Sequence, residues 1–250
     1  MDGGDDNDIY LVYNHGLVGG IISDTGITGI DEIRFASTGT ISNLLLNAND
    51  TGVEKIVIGT GTDAVADTSN TTTLQVNASF YTANALNIIG NDGDNVITGT
   101  TNNDSLSGNA GADQLFGANG NDTINSGNGD DRIIGGIGSD SLSGGLGSDL
   151  FDFNATNESL VGINRDVISD FNSVEFDLID LATIDADIGL ANNQAFTFIG
   201  NDVAFSNVAG QLRFVTASNS LFGDVNGDSI ADFEIALTGV TSFSVSDFIL

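Results

Sequence analysis

The stretch SGNGDDRIIGGIGSDSLSGGLGSDLFD, residues 126–152, consists of three nine-residue units placed end to end. Each unit begins with small residues and glycine, has aspartate at its sixth place and has an apolar residue at its eighth. The same register extends back to residue 90, so seven units fill 90–152 without an insertion. A short fixed period means that one unit cannot bury its own apolar face and has to stack on its neighbours.

Three kinds of place in the unit carry the pattern. The sixth place holds Asn95 and then Asp104, Asp113, Asp122, Asp131, Asp140 and Asp149. The eighth place holds Ile97, Leu106, Leu115, Ile124, Ile133, Leu142 and Phe151. Glycines at the second and fourth places are Gly93, Gly111, Gly120, Gly127, Gly129, Gly136, Gly138, Gly145 and Gly147. Glycine favours tight turns, and the last three residues of each unit predict a short strand with its apolar side chain inward.

Two units then make one turn of a flattened coil, with strands on two faces and loops along two edges. Successive turns stack at the parallel-strand spacing of about 4.8 Å. Loops that alternate along the chain lie on opposite edges. One edge collects Asn95, Asp113, Asp131 and Asp149, the other Asp104, Asp122 and Asp140. Asp149 is expected to end the first of these stacks.

Carboxylates stacked in this way repel one another by roughly 1 kcal/mol per neighbour even in water, so a cation is expected between them. Calcium takes oxygen ligands at about 2.3–2.6 Å, close to half the loop spacing. An ion between two loops can therefore reach the aspartates of both and the carbonyls of the glycine turns listed above. Magnesium requires a stricter geometry at shorter distance and fits less well. The stacks predict about five calcium ions within 90–152.

The units match the GGxGxDxUx nonapeptide and resemble the RTX (repeats-in-toxin) family of calcium-binding proteins. The resemblance implies a right-handed parallel β-roll that is secreted and is folded by extracellular calcium. Asn95 in place of the first aspartate and Asn102 in place of a glycine depart from the pattern. A flexible linker is the alternative, but linkers do not keep an apolar residue in register.

Residues 1–89 are interpreted as a first domain of divergent coils that open with a partial repeat. GGDDNDIYLV, residues 3–12, resembles a repeat running into a strand and places Asp8 at the ligand position. GTGTDAVAD, residues 59–67, places Asp63 in the same way. Short β-rich segments separated by Asn, Asp, Gly, Ser and Thr are typical of further coils.

Residues 153–250 are interpreted as a third domain. Twelve of the 15 phenylalanines lie in 151–250, and alternating segments there predict an antiparallel β-sandwich. The order SDLFDFNA, then RDVISDFN, resembles the C-terminal domain of serralysin-type exported proteins. The resemblance implies that a type I secretion apparatus reads the uncleaved C-terminus, where Asp247 precedes Phe248, Ile249 and Leu250. An ordinary last strand is the alternative, and one tail can serve both purposes.

The segment DVNGDSIAD, residues 224–232, has two interpretations. Its oxygen-bearing side chains, Asp224, Asn226, Asp228 and Asp232, are spaced as in a short calcium loop. However, Ser229 replaces a glycine, and Ile235 stands where an EF-hand has glutamate. Asn226-Gly227 is also a strong signal for a plain hairpin turn.

Composition limits the possible functions. The chain has 35 acidic and 5 basic residues, a net charge of -30, which disfavours nucleic acid and anionic membranes as partners and favours cations. No cysteine is present, and no apolar run reaches the length of a membrane span. With His15 as the one histidine, the HExxH zinc motif of serralysin-type proteases is absent, and no GxSxG occurs.

The sequence therefore predicts a calcium-binding, calcium-folded, non-enzymatic C-terminal module of a secreted or cell-surface protein. One alternative is a calcium-dependent surface-layer or adhesin segment that self-associates. A second alternative is the accessory module of an enzyme whose catalytic domain lies upstream.

Overall fold

The computed structural model describes residues 5–13, 29–36, 42–59, 67–69 and 71–250, so His15 and Asp63 lie outside the described residues. Within these ranges the regular structure is β-sheet apart from one 3₁₀ turn at Val245–Asp247. The strands are β1 (Ile9–Tyr13), β2 (Glu32–Ala36), β3 (Ser42–Leu45), β4 (Lys55–Ile58), β5 (Leu74–Asn77), β6 (Asn87–Ile89), β7 (Val96–Thr98), β8 (Ser105–Ala110), β9 (Gln114–Asn119), β10 (Thr123–Asn128), β11 (Arg132–Ile137), β12 (Ser141–Leu146), β13 (Leu150–Asp152), β14 (Asp166–Ile168), β15 (Leu178–Asp180), β16 (Thr197–Asn201), β17 (Gln211–Val215), β18 (Ser220–Asp224), β19 (Phe233–Leu237) and β20 (Phe248–Ile249).

Strands of the repeats alternate between two parallel sheets. Strands β8, β10 and β12 lie side by side in one sheet, and β7, β9, β11 and β13 lie side by side in the other. The register pairs residues eighteen apart, as in Ile124 with Leu142 and Ile133 with Leu115. The predicted parallel roll with two units per turn is confirmed.

The strands of the repeats are longer than the sequence predicted. Strands β8 to β12 have 6 residues each, because pairing continues from the seventh place through the third place of the next unit. Gly127 pairs with Gly145 inside this extension. Gly127 has φ 113°, and a Cβ there would lie closer than 3.0 Å to the Asn109 carbonyl oxygen. Glycine at such a place lets adjacent turns approach, so only the fourth to sixth places remain as loop.

An apolar column runs between the two sheets. The eighth-place side chains are all 0–1% exposed: Ile97, Leu106, Leu115, Ile124, Ile133, Leu142 and Phe151. Ile88 precedes the column and Ile168 and Ile179 follow it, all three fully buried in the same core cluster. Each nine-residue unit thus contributes one inward side chain, as the periodicity predicted.

The described strands before residue 89 belong to the same two sheets. Strands β1, β2, β4 and β6 are parallel neighbours and lead to β8. Strands β3 and β5 are parallel neighbours and lead to β7. The division of the chain at residues 89 and 152 stays a prediction, because the sheets run through both positions.

The antiparallel sandwich expected after residue 153 is limited to one meander. Strand β14 pairs in parallel with β12 and β19, and β15 pairs in parallel with β13 and β20. Only the β17–β18 and β18–β19 pairs are antiparallel. Strands β14 and β15 follow the roll and place Ile168 and Ile179 in its apolar column, and β16 pairs in parallel with β17 beyond the meander. Phe171, Phe214 and Phe248 each pack on Phe243, with ring centroids 5.1 Å apart.

No helix in the described part of the chain has both the length and the apolar character needed to cross a bilayer.

Replacing Ile133 with alanine should lower the free energy of unfolding by about 2–5 kcal/mol, because the side chain is fully buried in the column. Ile137, in the same strand, is 50% exposed, so Ile137→Ala is the matched control. This variant should change the free energy of unfolding by less than about 0.5 kcal/mol. Urea unfolding in saturating calcium measures both variants. Equal losses of unfolding free energy in the two variants would contradict the assignment of the eighth place to the column.

Candidate metal centre

The sixth-place residues form two hydrogen-bonded ladders, one on each edge of the roll. In the first ladder, the backbone N–H of Asp113 donates to Oδ1 of Asp131 at 2.7 Å, and that of Asp131 donates to Oδ1 of Asp149 at 3.0 Å. Asn95 donates to Asp113 in the same way. In the second ladder, Asp104 donates to Asp122 and Asp122 to Asp140, both at 2.7 Å. The two predicted stacks are therefore present.

In five of the six sixth-place aspartates, the other carboxylate oxygen has no partner. The Oδ2 atoms of five aspartates are buried and accept no hydrogen bond: Asp113, Asp122, Asp131, Asp140 and Asp149. These residues are at most 3% exposed. Oδ1 of Asn95 is buried and unpaired as well. A buried carboxylate oxygen without a donor or a cation is costly, so each ladder presents a row of unsatisfied negative groups.

Glycine at the first place of the unit keeps open the space next to the unpaired oxygens of Asp113, Asp122, Asp140 and Asp149. A Cβ added to Gly117 would lie closer than 3.0 Å to both Asp122 Oδ2 and the carbonyl oxygen of Gly135. One added to Gly108 would meet Asp113 Oδ2 and the carbonyl oxygen of Ser126 in the same way. A carboxylate oxygen and a carbonyl oxygen from the next turn therefore face the same small space, and oxygen ligands of this kind suit calcium.

The glycines that the sequence predicted as carbonyl ligands lie at the second and fourth places, one and three residues after this first-place glycine. Their carbonyls also point along the stack: a Cβ on Gly145 would meet the Gly127 carbonyl, and one on Gly147 would meet the Gly129 carbonyl. The first-place carbonyls were missed, although first-place glycine recurs in six of the seven units.

No three Asp, Glu, His or Cys side chains converge on a metal-sized space within the described ranges. Carbonyl groups or water would have to complete the coordination of an ion held by two aspartates.

No basic side chain neutralises the ladders. Among the 5 basic residues of the chain, Arg34 and Lys55 pair with Glu32, Arg132 pairs with Asp152, and Arg165 pairs with Glu234. Arg213 lies over the rings of Phe205 and Phe222. The negative charge of the ladders therefore has no counterion in the described part of the chain.

Burial raises the pKa of the ladder carboxyl groups. Desolvation is the largest cause, and it moves the pKa values of Asp113, Asp122 and Asp149 from the usual 3.8 to about 7. The pKa of Asp140 rises to about 6 for the same reason, with a contribution from the charge of Glu158. Desolvation also raises the pKa of Asp104 and Asp131. In acid the cation-free fold would therefore take up protons on these carboxyl groups, and calcium would displace them.

Asp104 differs from the other aspartates of the second ladder. Its Oδ2 accepts the backbone N–H of Thr100 at 2.5 Å, and its Oδ1 accepts that of Leu86 at 2.7 Å. Both oxygens are satisfied by the protein. The sequence alone did not distinguish Asp104 from Asp122 and Asp140.

Asp8 lies in a third, N-terminal ladder. Its backbone N–H donates to Oδ1 of Asp31 at 2.9 Å, and the N–H of Asp31 donates to Oε2 of Glu54 at 3.0 Å. Oδ2 of Asp8 is buried and unpaired. Asp31 and Glu54 were missed because their spacing is 23 residues. The signal was an acidic residue two places before a buried apolar one, as in Asp31 and Ile33.

Two further aspartates after the repeats extend the ladders, so Asp149 does not end its stack as expected. Oδ1 of Asp177 accepts the N–H of Asp149 at 3.0 Å, and Oδ1 of Asp166 accepts that of Asp140 at 2.7 Å. Burial raises the pKa of Asp166 to about 9. Longer spacings of 28 and 26 residues hid both aspartates. Each still stands two places before a column residue, Ile179 or Ile168.

Residues 224–232 connect β18 to β19 in an antiparallel hairpin. Oδ1 of Asp224 accepts the N–H of Gly227 at 2.7 Å and its Oδ2 accepts that of Ser229 at 2.9 Å. Oδ2 of Asp232 accepts the N–H of Val225, and Asn226 and Asp228 accept backbone N–H groups two residues ahead. The hairpin turn is present, and a calcium role for this loop stays a prediction.

The family model for the RTX calcium-binding nonapeptide repeat matches residues 89–124 and 125–157. Both ladders lie almost wholly within these ranges, and the matched units carry the unpaired oxygens. Residues 89–157 are RTX calcium-binding nonapeptide repeats. RTX repeats of this kind bind calcium.

One similar solved structure is the solution structure of the AlgE6R3 subunit from the Azotobacter vinelandii mannuronan C5-epimerase. Its TM-score is 0.30 and its sequence identity 25%, over 62% of this chain and 77% of that chain. No curated protein matches the chain.

The raised pKa values predict that acid partly replaces calcium in the RTX repeats. The carboxyls of Asp113, Asp122 and Asp149 bind protons more tightly in the folded chain than in the unfolded one. The resulting stability of the metal-free fold is complete below the usual pKa and is lost as pH rises through about 7.

In chelator, circular dichroism should therefore show more β-structure at about pH 5 than at about pH 8. In calcium titrations, the same acidification should reduce the β-signal that calcium adds, because part of the fold is already present and protons compete for the ligands. A β-signal in chelator that is unchanged or falls on acidification would contradict the raised pKa values. Sedimentation at each pH separates folding from aggregation.

Proposed function

We propose that this chain is a calcium-folded, non-enzymatic module at the C-terminus of an extracellular RTX protein exported by a type I secretion apparatus. The observation that carries this proposal is the row of buried carboxylate oxygens without partners on both edges of the roll. The formal charge of -30 and the engagement of the basic side chains elsewhere support an external cation.

Calcium binding and folding are coupled in this proposal. The loops that would hold an ion exist only when neighbouring turns are stacked, and the stacked turns bury carboxylates that repel one another without it. Low calcium inside a cell would leave the repeats extended for export. Calcium outside the cell would then fold them.

The proposed ligands come from adjacent turns of each ladder. The ions would take the unpaired side-chain oxygens of the sixth place, Oδ2 in five aspartates and Oδ1 in Asn95, and the carbonyl groups of the glycine-rich loops between adjacent turns. The gaps in the two ladders support about five ions within 90–152. Asp8 and the loop 224–232 are proposed as further calcium ligands outside this set.

The proposal is tested first by removing calcium. In excess chelator at neutral pH the RTX repeats should be largely disordered, because the carboxylates repel and the short strands do not hold alone. Circular dichroism should show little β-structure in chelator, full β-structure in millimolar calcium and a weaker response to magnesium. Full β-structure in chelator at neutral pH would defeat the proposal.

Individual aspartates of the first ladder should differ in effect. Asp131 lies between the loops of Asp113 and Asp149 and would serve two ions. Asp149 would serve one, because backbone N–H groups satisfy both oxygens of Asp177, the next member of the ladder. Asp131→Asn should therefore raise the calcium midpoint for folding more than Asp149→Asn, with a less steep transition. Calcium titration followed by circular dichroism compares the two. Equal midpoints would contradict the sharing of ions between turns.

Export is proposed to depend on the C-terminal residues from Asp247 onward. In the folded chain Phe248 and Ile249 pair with β15, and Asp247 caps the preceding turn by accepting the N–H of Ser244. A secretion apparatus would have to read this segment before calcium folds the chain.

Deleting residues 247–250 should abolish export from a host with a type I secretion apparatus. Secreted protein is measured against total protein for the full and shortened chains. Calcium-induced circular dichroism of the purified shortened chain is the control that separates loss of the signal from loss of folding. Normal secretion of the shortened chain would place the signal upstream.

Exposed apolar side chains support the second candidate, a surface-layer or adhesin segment that self-associates. Ile137 is 50% exposed, Leu146 62% and Phe176 74%. Ile137 and Leu146 occupy the third place of consecutive RTX units. Calcium-dependent assembly in light scattering would favour this candidate, and a monomer in calcium would exclude it.

A further inference from the structure

Asp166 is the least exposed aspartate of either ladder and lies outside the residues that match the RTX repeat. Its exposure is 0%, and its Oδ2 has no hydrogen-bond partner. Its Oδ1 is fixed by the N–H of Asp140 at 2.7 Å, and its own N–H donates to Oγ of Ser159 at 2.8 Å. The side chain is therefore held in place with one oxygen directed into a buried space without a donor.

Asp140 presents the same feature from the turn below. It is 2% exposed, its Oδ2 is unpaired, and its backbone is bound to Asp166. Glu158 adds a third negative charge that acts on both Asp140 and Asp166. Arg165, the residue before Asp166, is paired with Glu234 and donates to the Gly162 carbonyl. The pair of unpaired oxygens thus lies in a strongly negative environment.

Two other ends of the ladders, at Asp177 and Asp104, are closed by the protein itself. Asp177, which continues the first ladder, accepts the N–H of Asp149 on Oδ1 and that of Asn172 on Oδ2, at 3.0 and 2.8 Å. Asp104, at the start of the second ladder, accepts N–H groups on both oxygens. Backbone donors satisfy both carboxylates, so these positions do not require a cation. At Asp166 no backbone N–H donates to Oδ2, so this carboxylate is only half satisfied.

We propose that a calcium ion binds between Asp140 and Asp166, beyond the RTX repeats, and that the first ladder has no matching ion at Asp177. The inference rests on the proposed function, because it takes the ion of the repeats to be calcium. The two aspartates would supply one oxygen each, and the remaining ligands would be carbonyl groups or water. The ion would join the last RTX loop of the second ladder to β14 and so connect the roll to the strands that follow it.

Two matched variants of the full chain test this proposal. Asp166→Asn should bind one calcium ion fewer than the wild type, because the amide nitrogen replaces the unpaired oxygen while the amide oxygen still accepts the N–H of Asp140. Asp177→Asn should bind as many ions as the wild type but unfold more easily, because an amide group cannot accept both N–H groups. Calcium stoichiometry by titration calorimetry and equilibrium dialysis, with urea unfolding in calcium, measures both.

The wild-type protein provides a second test that does not depend on the folding of a variant. In crystals grown with calcium, anomalous scattering should show a peak between Asp140 and Asp166 and none at Asp177. Peaks in the repeats with none at Asp166 would overturn this inference, as would an unchanged stoichiometry in Asp166→Asn, and Asp166 would then hold a proton. Absence of calcium from the repeats as well would instead contradict the proposed function.

Discussion

Each repeat unit makes one hydrogen bond of the same kind, from its sixth-place backbone N–H to the aspartate of the next turn on the same edge, and the calcium sites depend on this bond. This bond is 2.7 Å between Asp113 and Asp131 and recurs along both ladders. It holds the carboxylate under the neighbouring loop, so one oxygen is satisfied and the other becomes buried without a partner. The geometry that orders the turns therefore also creates the need for a cation.

That constraint connects the composition of the chain to its fold. Apolar side chains in the column favour stacking, but each turn also adds a desolvated carboxylate, and the basic side chains pair with Glu32, Asp152 and Glu234 instead. Burial is the main reason that the ladder pKa values rise. A divalent cation between turns offsets desolvation and repulsion together, which is why folding and binding are expected to be one process.

The sequence predicted the parts of the structure that repeat with a constant period. Two units per turn, the pairing of Ile124 with Leu142 and the column of eighth-place residues all follow from a nine-residue register. Where insertions change the spacing, the sequence predicted less. Asp166 and Asp177 were missed because the chain makes excursions before each of them, although both keep the acidic residue two places before the column.

Two other differences have local causes. The strands of the repeats are longer than predicted because glycines such as Gly127 let main chains pair across places that had been assigned to turns. Asp104 differs from Asp122 because Thr100 supplies a backbone donor, a contact that depends on the exact path of one loop. Periodicity identifies the ladders, whereas the satisfaction of each oxygen depends on the loops around it.

Amide hydrogen exchange of the ladder is the most direct test of the claim that calcium holds these carboxylates under the loops. The N–H groups of Asp104, Asp113 and Asp131 each donate to an aspartate of the next turn. In saturating calcium these three amides should exchange slowly, and in chelator at neutral pH they should lose their protection together. Equal protection in calcium and in chelator would show that the ladders form without the ion, and would contradict the account.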